Sequence, residues 1–71
     1  MDKKFLNQLE EIIEEKVKLD KNFNKYKNWD SLSMLSIIIL IQNTYKINLS
    51  NKEINKAKNF KGLCKLIEKR K

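Results

Sequence analysis

Asp30, Ser31 and Leu32 lie where a polar stretch gives way to a strongly apolar one, in the run Trp29-Asp30-Ser31-Leu32-Ser33-Met34. A serine hydroxyl becomes a nucleophile when a base lies within hydrogen-bond reach. The chain contains no His, and nothing in its order points to a lysine held beside Ser31. Paired carboxylates at a cleft and a Gly-rich phosphate loop are not evident either. The chain is therefore not expected to be an enzyme. What the position offers is an acceptor hydroxyl. With Asp30 as N-cap, Ser31 is the first residue of a helix, where free backbone N–H groups and the dipole favour an anion. A phosphodiester on this hydroxyl would lie in a favourable field, and Asp30 could help a modifying enzyme hold a metal ion. The plainer reading is that Ser31 is one more polar residue in a helix start, where serine is common.

The elements that must position this hydroxyl read as helices. There is no Pro and one Gly, Gly62, so few breakers interrupt them. Residues 3–17 carry apolar side chains at Phe5, Leu6, Leu9, Ile12, Ile13 and Val17, with Glu10, Glu11, Glu14 and Glu15 on the other side. Asp2 is a plausible N-cap, and Glu14 and Lys18 are spaced for an i,i+4 pair. Residues 18–29 form a polar loop with Asn at turn positions and with Leu19, Phe23, Tyr26 and Trp29, whose rings should pin it to the core. A short helical turn fits there.

Residues 30–44 form the second helix, apolar almost all round from Met34 to Ile41. That marks a central helix or one with a partner-binding face. Trp29 and Met34 have the spacing of a hydrophobic staple, but the acid of a capping box is missing because Ser33 stands at N3. Residues 45–50 read as an extended link with Ile47 and Leu49 inward. Ser50 caps a short helix, about Asn51 to Ala57, with Glu53 completing a capping box. Lys58 and Asn59 make a turn, and Asn59 caps a last helix, Phe60 to Lys69, with Phe60, Leu63, Cys64 and Ile67 inward. The expectation is all-α: a small four-helix bundle with a short third helix and a long loop between the first two, in one domain over residues 1–71.

Composition narrows the classes. A chain of 71 residues that is 41% apolar and 35% charged can build one small core, but folding at this size hides only about 60% of the surface of the unfolded chain, so a deep active site is not expected. One Cys and no His exclude an intrachain disulfide and a Cys/His metal site. Cys64 reads as a buried thiol. No leader is visible, and the longest apolar run, Ile37 to Ile41, is too short to span a membrane, so a cytoplasmic protein without membrane insertion is expected. The formal charge of +7 is uneven: seven Lys balance seven acids up to Asp30, whereas nine Lys/Arg face only Glu53 and Glu68 afterwards. Such asymmetry raises nucleic acid or an acidic partner, although the abundance of Lys, Asn and Ile is also what an AT-rich genome would produce.

Asp30-Ser31-Leu32 resembles the attachment motif of the acyl carrier protein family, in its Trp-Asp-Ser-Leu form. The likeness runs from Trp29 to Ile67 without a gap. It takes in the apolar pattern of Leu35, Ile38, Ile39 and Ile41, the aromatic Tyr45, Ile47 and Leu49, and then Ala57, Phe60, Leu63, Cys64 and Ile67. Residues 3–17 fit the family's first helix, and Ser50 stands where the family often has Pro. The resemblance implies a carrier on which a phosphopantetheinyl transferase attaches 4′-phosphopantetheine from coenzyme A to Ser31, within Asp30, Ser31 and Leu32. The arm's thiol would bear an acyl or aminoacyl group as a thioester, received from loading enzymes and given to acyl-transferring ones. An acyl pocket between the second and third helices would fall to Ile41, Ile47, Leu49, Ile54 and Leu63, with Ile39 beside them.

The chain departs from that family in charge. Its second helix has no acid after Asp30: Ser33, Ser36, Gln42 and Asn43 stand where acids are usual, and Lys46, Lys52 and Lys56 follow. The loop before Trp29 is also shorter. Docking is therefore expected to rest on Met34, Leu35 and Ile39, with polar contacts from Ser33, Ser36 and Gln42, as suits a dedicated carrier in a specialised biosynthetic pathway. Two alternatives stand beside this. One is a helical docking module whose Ser31 stays unmodified. The other is a small basic nucleic-acid-binding bundle using Lys58, Lys61, Lys65 and Lys69; nucleic acid is not the expected partner, because Arg70 alone could read bases and no helix-turn-helix is evident. A monomer is expected, since a thioester arm must visit several active sites.

Overall fold

The computed structural model describes residues 2–71, which form four helices: α1, Lys3–Ile13; α2, Ser31–Tyr45; α3, Asn51–Ala57; and α4, Phe60–Arg70. A 3-10 turn at Phe23–Lys25 interrupts the long connection between α1 and α2. This is the expected all-α bundle with a short third helix. Each helix starts where a side chain can satisfy an orphaned N–H group. Asp2, Asp30, Ser50 and Asn59 are the four N-caps. At α3, Ser50 Oγ accepts from Glu53 N at 3.2 Å and Glu53 Oε1 accepts from Ser50 N at 3.1 Å, the capping box expected there.

α1 ends earlier than its apolar pattern predicts. Glu14 adopts a left-handed conformation (φ 59°) and donates its N–H to the Glu10 carbonyl at 2.8 Å, closing the helix after Ile13. Val17 therefore lies outside the helix, and the Glu14–Lys18 pair does not have the helical geometry it would need. Longer-range bonds favour this outcome over another turn. Glu10 Oε2 accepts from Val17 N at 2.9 Å, and Glu15 accepts from Lys27 N and from Lys21 Nζ, each at 3.0 Å. Acids that belong to the wet face of a longer helix instead fasten the loop.

The aromatic residues pin that loop as expected. Phe23 and Tyr26 are buried. Tyr26 Oη accepts from Lys18 N and donates to Lys18 O, both at 3.0 Å, so its polar tip is satisfied inside. Trp29 stacks on Phe23 with centroids 4.2 Å apart, and Phe60 meets Phe23, Tyr26 and Trp29 edge-on. Phe23 N donates to Lys58 O at 2.8 Å, tying the loop to the α3–α4 turn. Leu19 stays exposed.

One core unites the elements. Phe5, Leu9 and Ile13 come from α1, Met34, Ile37 and Ile41 from α2, Ile54 from α3, and Phe60, Leu63 and Ile67 from α4. Ile47 and Leu49 point inward from the extended link, as their alternation predicts. Cys64 is half-buried, not enclosed as expected; it borders a small hollow with Phe5, Tyr45 and Ile67, and desolvation raises its thiol pKa above the ordinary value. No described helix is long and apolar enough to cross a membrane.

Candidate functional site

Two serines stand two residues apart at the start of α2, and the fold uses them differently. Ser33 is consumed by the helix cap. Its N–H donates to Asp30 Oδ1 at 2.8 Å, and its hydroxyl accepts from Asp30 N and donates to Asp30 O, each at 2.9 Å. Only 5% of Ser33 is exposed. The capping box is thus complete without an acid, with a hydroxyl doing at N3 what a carboxylate usually does. In a sequence the box is marked by Glu or Gln at N3, and Ser33 carries no such mark.

Ser31 is exposed and is the first residue of α2. Among the described residues no hydrogen bond engages its hydroxyl. The N3 amide is taken by Asp30, which leaves the N–H groups of Ser31 and Leu32 without intrahelical acceptors. Asp30 is exposed beside it, with one carboxylate oxygen occupied by the cap. Ser36, one turn further on, donates its hydroxyl to Leu32 O at 3.1 Å. The helix start therefore presents one free hydroxyl, at Ser31, in a field that favours an anion.

Leu32, Leu35 and Ile39 are respectively 72%, 51% and 47% exposed. Their spacing of three and four residues puts them on one side of α2, leading away from Ser31. The fifteen residues of α2 carry no charge, so this stripe is apolar and electrically neutral. Met34, expected among the docking residues, is only 7% exposed and belongs to the core, because its position on the helix faces inward with Ile37 and Ile41. Ser36 is half-buried at the edge of the stripe.

Ile41, Ile47, Leu49, Ile54 and Leu63, the expected acyl pocket, are brought together: all five are buried in the one core. Ile39 lies outside it, on the exposed face. A hollow of about 150 Å³ lies beside the motif, lined by Ile12, Asn28, Asp30, Leu32, Ser33 and Ser36. It is well below the roughly 300–1,000 Å³ of small-molecule pockets. The site therefore presents a surface hydroxyl and not an enclosing cleft. Asn28, which no motif singled out, holds this corner by donating its Nδ2 to Ile12 O at 3.1 Å, joining the end of α1 to the approach to α2.

Comparison of the chain with protein-family models, with curated proteins and with solved structures finds no match. The candidate site is one free serine hydroxyl at the start of a neutral helix, with an apolar stripe beside it.

Proposed function

We propose that this chain is a carrier protein that bears an acyl or aminoacyl group as a thioester on a 4′-phosphopantetheine arm attached at Ser31. The observation that carries the reading is the contrast between the two serines: Ser33 is spent on the cap, while Ser31 is exposed and unengaged at the first position of α2. The fit to the group is chemical. A phosphodiester needs a free hydroxyl, room around it and a field that tolerates negative charge, and Ser31 meets all three. The arm supplies a terminal thiol for thioester formation. The chain's own residues hold the attachment point: Asp30 caps α2, Ser33 locks Asp30, and Trp29 anchors the approach on Phe23.

Partner recognition in this reading falls to Leu32, Leu35 and Ile39, which can seat in an apolar groove of a transferase or an acyl-transferring enzyme without needing charge. A cargo sheltered among Ile41, Ile47, Leu49, Ile54 and Leu63 would require α2 and α3 to part, since these side chains fill the core.

The test is intact-protein mass spectrometry after incubation with coenzyme A, magnesium and a broad-specificity phosphopantetheinyl transferase. The native chain gains one phosphopantetheine, the Ser31→Ala variant gains none, and Ser36→Ala gains one. Failure of the native chain with both this enzyme and the transferase of its own organism leaves the unmodified docking module as the better account.

A further inference from the structure

The chain's excess positive charge gathers at a place the carrier reading does not use. Between α3 and α4 runs a groove of about 610 Å³. Ala57, Gly62 and Leu66 make its floor, and Lys56, Lys65 and Lys69 stand along it. Ala57 and Leu66 are only partly covered by the core, so apolar surface remains at the bottom. Lys65 and Lys69 are one helical turn apart on α4, and Lys56 faces them from α3. Glu53 also borders the groove, but its carboxylate is engaged by Arg70 and by Ser50 N. Among the described residues no carboxylate pairs with Lys56, Lys65 or Lys69; the ion pairs present are Glu15–Lys21, Glu53–Arg70 and Glu68–Lys71. Three like charges held around an apolar floor repel one another, and they are relieved by an occupant of opposite sign.

We propose that the α3–α4 groove is a docking site for an acidic amphipathic segment of another protein, with an apolar side chain over Ala57 and Leu66 and carboxylates on Lys56, Lys65 and Lys69. Charge complementarity names the sign of the partner, and the apolar floor names its class. A nucleic acid would answer the lysines but would leave Ala57 and Leu66 uncovered. A second copy is a poor occupant, because it carries the same net charge of +7, and Glu10 and Glu15 near the end of its α1 are already engaged by Val17 N, Lys21 and Lys27 N. This site is independent of Ser31, so the chain can hold such a partner whether or not the serine is modified.

The test uses the full chain and a short fluorescein-labelled helical peptide with leucines on one face flanked by glutamates. Two control peptides carry Gln for Glu or Ser for Leu. Binding is followed by fluorescence anisotropy and mapped by amide chemical shifts. The expected result is shifts centred on Ala57, Gly62, Lys65, Leu66 and Lys69, with both control peptides binding weakly. The double variant K65Q/K69Q loses about tenfold in affinity at low salt, whereas K16Q/K25Q, with the same change in net charge on the exposed α1–α2 connection, loses little. Shifts centred elsewhere, equal losses in the two double variants, or equal binding of the Ser-for-Leu peptide overturn the proposal. Tighter binding of single-stranded oligothymidylate at the same residues, or concentration-dependent self-association through them in sedimentation, also overturns it in favour of nucleic acid or a second copy.

Discussion

Asp30 and Ser33 cap α2 reciprocally, with Ser33 N donating to Asp30 Oδ1 at 2.8 Å and Asp30 N donating to Ser33 Oγ at 2.9 Å. This pair separates the structural serine from the available one. Ser33→Ala removes a buried hydroxyl that makes two hydrogen bonds and is expected to cost about 1–2 kcal/mol. Ser31→Ala touches nothing and should stay within about 0.5 kcal/mol of the native chain. Urea denaturation of the two variants measures the difference, and equal losses would contradict the assignment of roles.

The apolar stripe on α2 predicts how modification of Ser31 responds to substitution. Leu35→Ser and Ile39→Ser remove half-exposed side chains, so their fold stability should change little. Modification by the transferase should slow by about tenfold if these residues anchor it. Because the face is uncharged, the rate of the native chain should vary only weakly with salt. Initial rates of phosphopantetheine transfer at several ionic strengths check both statements; a steep fall with salt would point to charge-led docking.

Gly62 allows α4 to lie close against α3. A Cβ at this position would overlap the Ala57 carbonyl oxygen, a backbone atom that cannot swing aside. Helix propensity alone favours Gly62→Ala by about 1 kcal/mol. The overlap should reverse that sign and leave the variant less stable by about 1–3 kcal/mol. The melting temperature decides it, and an unchanged or raised value would refute the close approach.

Phe60 joins the loop to the bundle. It is fully buried, and its ring meets Phe23, Tyr26 and Trp29 edge-on at centroid distances of 5.0, 5.6 and 6.1 Å. Phe60→Ala should cost about 3–5 kcal/mol. Trp29 is the chain's one tryptophan and reports on this cluster directly. Its emission should shift to the red in the variant at denaturant concentrations where the native chain is still folded.

Two carboxylates link stability to pH. The Glu15 carboxyl is held below its ordinary pKa first by the Lys21 ammonium and then by Lys27 N. That of Glu53 is held down chiefly by Ser50 N, with Arg70 beside it. A carboxyl with a depressed folded pKa binds fewer protons folded than unfolded, so its contribution is complete above the unfolded value. The contribution fades as pH falls through the glutamate range toward the folded value. Both groups are only half-buried and open to solvent, so the effect is modest and salt-sensitive. Urea midpoints measured from neutral to acidic pH should decline in that window, and Glu15→Gln with Glu53→Gln should flatten the decline.

What the order of residues determined by itself is local. Asp30, Ser50 and Asn59 mark helix starts because a cap bonds to an amide two or three residues away, a distance set by spacing alone. Ile47 and Leu49 point inward because an extended link alternates its side chains. The end of α1 depended on contacts that spacing does not encode. Glu15 reaches Lys27 N twelve residues on, and Asn28 reaches Ile12 O sixteen residues back. These bonds exist only once the loop has folded over the helix end. The exposed face of α2 was equally unreadable. A helix apolar on nearly every side has no phase of its own, and its neighbours decided that Met34 goes inward while Leu35 and Ile39 stay out. The lysines of α3 and α4 were visible as a run of charge. Only the approach of the two helices at Gly62 made them the walls of one groove.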